Sequence, residues 1–181
     1  MRAEAESSYL QLTSDQFHLL SDWRYFAILN LITLPGSSHA ERDLASRLGI
    51  TEAAMKSCLE RLRRLEMIRE SEDGRLERVA PRYRTPDDVV NPSLRRSHQQ
   101  TLELAQDSLA RDPIDERDFS WVTFPLDRRK MNTAKALIRR FQDDLLDLLD
   151  QDSVPDEVYR LSVQLFPLTR SPSERTERTP Q

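Results

Sequence analysis

Apolar residues recur three and four apart along three stretches of the first half of the chain, the spacing of helices with a buried face. A long helix is predicted over 14–34, with Thr13 or Ser14 as N-cap. It carries Phe17, Leu20, Trp23, Phe26, Leu31 and Leu34 together with Leu19, Tyr25, Ile28, Leu29 and Ile32. A helix apolar most of the way round must be covered on several sides. The cover expected is a second subunit docked through this first helix, or the C-terminal part of the same chain. Pro35-Gly36-Ser37-Ser38 breaks the pattern, and a short helix over about 39–48 follows with Leu44, Ala45 and Leu48 inward. Gly49 ends it, and Thr51 caps a third helix over about 52–66, whose Met55, Cys58, Leu59, Leu62 and Leu65 form a core stripe. Next comes MIRESEDGRLERVA, in which Ile68, Leu76 and Val79 flank Asp73-Gly74. That dipeptide supplies the positive φ of a tight hairpin turn.

The second half reads differently. PRYRTPDDVVNP, residues 81–92, holds three prolines and is the best domain boundary. SLRRSHQQTLELAQDSLAR, 93–111, is an amphipathic connecting helix with Leu94, Leu102, Ala105 and Leu109 along one side, stopped by Pro113. FSWVTFPLD, 119–127, is strand-like, and 128–150 places Met131, Ala134, Ile138, Phe141, Leu145 and Leu148 at helical spacing. VYRLSVQLF, 158–166, alternates Tyr159, Leu161, Val163 and Leu165 with polar residues, as a strand with one wet face does. The expected result is a β-α-β unit with a right-handed crossover if its strands pair directly. The domains expected are a mobile tail over 1–12, a first domain over 13–84, a C-terminal unit over 85–169 and a disordered tail over 170–181.

Composition narrows the function classes. The chain has 181 residues, 32% of them charged, with a net charge of −4. An acidic whole does not advertise a nucleic-acid binder, so any grip on DNA must come from local asymmetry. The single cysteine, Cys58, lies inside the core stripe and reads as a buried hydrophobe; one cysteine suits a reducing cytoplasm. The amino terminus, MRAEAESSYLQL, has no apolar signal region, and no apolar run spans a bilayer. A cytoplasmic protein without membrane contact is therefore expected. His18, His39 and His98 lack metal-ligand spacing, and three glycines form no phosphate loop. No nucleophile elbow appears either, so no enzyme, catalytic residue, metal or cofactor is expected.

Three helices followed by a charged hairpin is the winged helix-turn-helix order, and the fold class expected is α+β: that domain, then a helix and the β-α-β unit. "LASRLGITEAAMKSCLERLRRLEMI" followed by "EDGRL" resembles the MarR-type winged helix over 40–80, with Asp73-Gly74-Arg75 matching the Asp-x-Arg element of its wing. Over about 14–169 the chain is similar to an uncharacterised bacterial family of transcriptional regulators that carry a domain of unknown function. The strings that carry this likeness are Ser21-Asp22-Trp23, Glu116-Arg117-Asp118-Phe119-Ser120 and the closing "VYRLSVQLFPLT". Members often have a further N-terminal helical domain, absent from these residues, which weakens the transfer of DNA binding. Glu66 stands in the slot where such motifs place glycine after the helix; a left-handed backbone there would cost about 1 kcal/mol.

Those resemblances imply a transcriptional regulator that binds double-stranded DNA as a dimer. Matched to the MarR-type motif, Thr51, Ala53, Ala54, Lys56 and Ser57 face bases, while Arg61 lies on the exposed side of the third helix. Arg69, Arg75 and Arg78 on the wing suit phosphates, with Arg75 the sharpest candidate. The alternative is a protein-interaction or dimerisation module without DNA binding, since Glu60, Glu66, Glu70, Glu72 and Glu77 interleave with the cations. Arg128, Arg129 and Lys130 crowd the start of the long C-terminal helix, and Asp143, Asp144, Asp147 and Asp150 crowd its end. This opposes the helix dipole and makes the basic start a candidate anion site, for an effector or for an acidic or regulatory protein partner.

Overall fold

The computed structural model describes residues 9–11, 18–80, 82–84, 92–151 and 154–169. It is an α+β chain, mainly helical, that divides into two compact units. One contains the residues up to Pro125 together with Leu149–Tyr159; the other contains Leu126–Leu148 and the residues from Arg160 on.

In the first unit, a 3-10 turn His18–Ser21 leads into α1 (Trp23–Leu31), then α2 (Glu41–Leu48) and α3 (Glu52–Arg64). The strands β2 (Ile68–Glu70) and β3 (Leu76–Arg78) form an antiparallel hairpin. Ahead of these helices β1 (Tyr9–Gln11) pairs in parallel with β4 (Arg82–Arg84). The helix α4 (Pro92–Arg111) follows. One core joins α1, α2, α3 and the hairpin: Ile28, Leu29, Leu31, Leu44, Met55, Cys58, Leu59, Leu62, Met67, Ile68 and Leu76 are all buried.

Local chemistry explains where the helices begin and end. Asp22 caps α1, accepting from the Arg24 amide at 3.1 Å, and Thr51 Oγ1 caps α3, accepting from the Ala54 amide at 3.2 Å. Between α1 and α2, Ser37 N–H donates to the Leu34 carbonyl around Pro35-Gly36, with Gly36 at φ 73°. Both α2 and α3 close in the same way. Ile50 and Gly49 donate to the carbonyls of Ala45 and Ser46; Met67 and Glu66 donate to those of Leu62 and Arg63. In each case the residue after the helix is left-handed, Gly49 at φ 63° and Glu66 at φ 55°. The turn drives Met67 and Ile68 back into the core, both 3% exposed or less.

Several expectations are corrected here. Instead of one helix over 14–34, the described part is a 3-10 turn and a nine-residue helix, because Asp22 starts a new helix. The proposed caps Thr13 and Ser14 lie outside the described residues. Among the described residues of this stretch, Ile28, Leu29, Leu31 and Leu34 are buried within the chain. Tyr9–Gln11 is a paired strand and no tail, and its partner Arg82–Arg84 lies inside the proline-rich stretch expected to separate domains. The helix α4 belongs with the first unit: Leu94 packs on its core, and Gln100 Oε1 accepts from the Trp23 amide at 3.2 Å.

The expected β-α-β unit is also overturned, since neither 119–127 nor 158–166 enters a β-ladder among the described residues. The second unit holds a 3-10 turn Arg128–Lys130 running into α5 (Met131–Leu149, its last residue counted with the first unit), and 160–169, which have no regular secondary structure. The alternation in VYRLSVQLF gives the pattern of a strand, but two strands pair only when tertiary contacts bring them together. No residue of α5 is buried.

Replacing Glu66 with glycine removes the cost of a left-handed backbone at a non-glycine residue. Glu66→Gly is expected to stabilise the chain by about 1 kcal/mol, raising Tm by roughly 2–4 °C in thermal unfolding.

Candidate nucleic-acid interface

The surface singled out by the sequence lies on the outer side of α3 and on the hairpin. Burying Met55, Cys58, Leu59 and Leu62 leaves Glu52, Ala53, Lys56, Ser57, Glu60, Arg63 and Arg64 exposed. Lys56, Glu60 and Arg64 are four apart and form one ridge along the helix. Arg63 and Arg64 are exposed α3 cations outside the expected contact set, and Arg64 shares the ridge of Lys56 and Glu60.

The hairpin is built from a five-residue connection. Ser71 N–H donates to the Arg75 carbonyl at 2.8 Å, and Gly74 N–H to the Ser71 carbonyl at 2.9 Å. Of Asp73 and Gly74 only the glycine has positive φ, at 78°, so the turn is a three-residue loop with a glycine bulge, where a two-residue turn was expected. Ser71 Oγ donates toward Asp73, and this bond is the first cause holding the Asp73 carboxyl below its usual value. Ile68 and Leu76 are buried as expected, whereas Val79 is exposed and Ala80 takes the inward position. Leu76 N–H donates to His39 Nδ1 at 2.7 Å, tying the hairpin to the segment before α2.

The candidate contact residues separate into distinct environments. Lys56 and Ser57 are exposed on α3, and Arg75 is exposed in the hairpin loop. Thr51 is exposed with its hydroxyl oxygen engaged in the cap, and Ala54 is half-buried. Arg61 is half-buried, and its Nε is buried with no hydrogen-bond partner among the described residues. Around it burial pushes both the Tyr25 phenol and the Cys58 thiol up, so Cys58 is a packed thiol, as its place in the stripe indicated. Arg69 pairs across the hairpin with Glu77 at 2.9 Å, and Arg78 donates to Asn30 Oδ1 of α1 at 3.0 Å. Arg63 approaches Glu70 at 3.9 Å. The sequence could place these arginines on an outward face; it could not show which carboxylates and amides they meet.

The second candidate site already contains an anion of its own. Asp127 caps the turn before α5, accepting from the Arg129 amide at 3.0 Å and pairing with its guanidinium at 2.7 Å. Arg128 and Lys130 are exposed beside it.

Residues 3–168 match the family defined by the domain of unknown function DUF4423. The chain belongs to that family. No curated protein and no solved structure matches it. In this DUF4423 chain the strings that carried the likeness do structural work. Asp22 of Ser21-Asp22-Trp23 caps α1 and binds the Arg24 side chain, and the Trp23 amide reaches α4. Burial would raise the Asp22 carboxyl, but the bonds from Arg24 outweigh it and hold the group below its ordinary value. Arg117 of the second string donates to the Asp112 carbonyl at the end of α4 at 2.9 Å and lies 5.4 Å from the Phe119 ring centre. At the third, Val158 packs on the core, while Arg47 of α2 donates to the Asp156 carbonyl at 2.7 Å and pairs with Glu157 at 3.0 Å. Among the described residues no helix is long and apolar enough to cross a membrane.

Two consequences are measurable. His39→Ala leaves the Leu76 amide without its acceptor; it should cost about 1 kcal/mol and accelerate hydrogen exchange at Leu76 over that at core amides of α3. The Asp22 carboxyl, lower in the folded chain than its ordinary 3.8, contributes stability that is full above that pH and is lost as pH falls through the folded value. Asp22→Asn preserves a capping side chain and should flatten the acid limb of the stability profile, whereas Asp22→Ala should also cost about 1 kcal/mol at neutral pH in denaturant titrations.

Proposed function

We propose that this DUF4423 chain is a DNA-binding transcriptional regulator whose first unit is a winged helix, with α3 as the helix that enters the major groove. The observation that carries the reading is the exposed face of α3, with Lys56, Ser57 and Arg64, followed directly by a hairpin that holds Arg75 in its loop. A helix of this kind fits the major groove, and an adjoining hairpin tracks the backbone. Four cations against two acids on α3 favour a polyanion, but the hairpin strands and loop carry three arginines against four acids. With Arg69 and Arg78 engaged inside the chain, phosphate contact from the hairpin falls to Arg75. Modest affinity and little base discrimination follow, because Lys56 is the one base-facing cation among the positions matched to the MarR-type motif. The C-terminal unit then serves assembly or sensing, in a cytoplasmic dimer. The same two internal contacts favour a second reading, a protein-interaction module that keeps the scaffold without DNA.

Fluorescence anisotropy with a duplex of mixed sequence separates the two. A DNA binder loses affinity steeply as salt rises. Lys56→Ala, Arg64→Ala and Arg75→Ala should each flatten the log–log salt slope by about one, while Arg69→Ala changes it little. No binding at about 50 mM salt would overturn the proposal in favour of the interaction module.

A further inference from the structure

The helix α5 carries Met131, Ala134, Ile138, Phe141, Leu145 and Leu148, separated alternately by three and four residues. That is the seam of a coiled coil sustained over the whole helix. Yet no α5 residue is buried: of this stripe Phe141 and Leu148 are 53% and 64% exposed, and Met131, Ala134, Ile138 and Leu145 are only half-buried. Leaving such a stripe in water is unfavourable, so a second surface is required. The charges say which one. From Arg128 to Arg140 the sequence has six cations and no acid; from Phe141 to Asp150 it has four aspartates and no cation.

A helix polarised in this way is complementary to a second copy of itself run in the opposite direction. Antiparallel pairing about a two-fold axis near Arg139 and Arg140 sets Arg129 and Lys135 level with Asp150 and Asp144 of the mate, twice over by symmetry. At the axis Arg139 and Arg140 lie beside their own counterparts, with Arg140 paired to Asp144 of its own helix at 3.5 Å. It also sets the basic start of one helix beside the aspartates at the end of the other, offsetting the unfavourable dipole arrangement that each helix has alone. Parallel pairing would set like charge against like. An acidic partner would meet the first half well and be repelled by the second, and a basic one the reverse.

We propose that α5 is the homodimerisation element of this chain, pairing antiparallel with α5 of a second copy through the stripe from Met131 to Leu148. This relocates the dimer contact from the first helix to the C-terminal unit, and it stands whether or not the first unit binds DNA. In sedimentation equilibrium of the full chain, a species of twice the 21.2 kDa chain mass is expected at micromolar concentration. Phe141→Glu should raise the dimer Kd by at least about tenfold. Phe141 is already exposed, so thermal unfolding of the first unit should be unchanged. Between about 0.05 and 0.3 M salt the dimer should loosen severalfold, as opposed charges require; tightening would point to parallel pairing and overturn the proposal. A variant with the four aspartates Asp143, Asp144, Asp147 and Asp150 changed to lysine should lose self-association. So should one with the six cations Arg128, Arg129, Lys130, Lys135, Arg139 and Arg140 changed to glutamate. The two mixed should form a one-to-one heterodimer. A wild-type monomer throughout, or a dimer indifferent to Phe141→Glu, would also overturn it.

Discussion

Met55, Cys58, Leu59 and Leu62 project from one face of α3 into the core shared with α1 and α2, and the rest of the first unit is arranged around that burial. Each side chain of this size is worth roughly 1.5–3 kcal/mol when fully removed from water. The orientation of α3 is thereby fixed, and with it the identity of the residues left outside. The turn after the helix follows from the same constraint. Met67 and Ile68 must re-enter the core immediately, which demands a left-handed residue at position 66. Glu66 adopts it at a cost that Gly49, in the equivalent turn after α2, does not bear.

Electrostatics then decide how much of the exposed face is available to a ligand. A surface arginine contributes to binding a polyanion through the charge it adds on contact, and an arginine already paired with a carboxylate adds less. The cross-strand pair of Arg69 with Glu77 and the bond from Arg78 to Asn30 stiffen the hairpin and fasten it to α1. His39 fastens the start of the same strand, β3, to the segment before α2. A rigid hairpin with one arginine in its loop is a better positioning device than an affinity device.

The two units differ in how they meet their apolar surface. The first closes its core within the chain, and the strings that carried the family likeness serve that closure through a helix cap, a helix terminus and a docked segment. The second has a helix with a continuous apolar seam and no buried residue. The oppositely charged halves of that helix are unfavourable against its own dipole, and the proposed antiparallel pairing would give each an opposite charge to face.

By itself the sequence determined the helices α2 and α3, their caps at Thr51 and Gly49, the hairpin around Gly74, the buried state of Cys58 and the long helix near the C-terminus. Each of these is set by neighbours within a few residues, through apolar spacing, a capping hydroxyl or a positive φ. What tertiary structure decided was longer in range. Tyr9–Gln11 became a strand because Arg82–Arg84 lies beside it, and α4 joined the first unit because Gln100 and Leu94 meet groups far away in sequence. Arg69 and Arg78 meet Glu77 and Asn30, and the Arg61 Nε is buried. The alternating segments 119–127 and 158–166 found no ladder among the described residues. Periodicity states which face of an element is apolar; only the folded chain states what that face, or a charge beside it, is brought to touch.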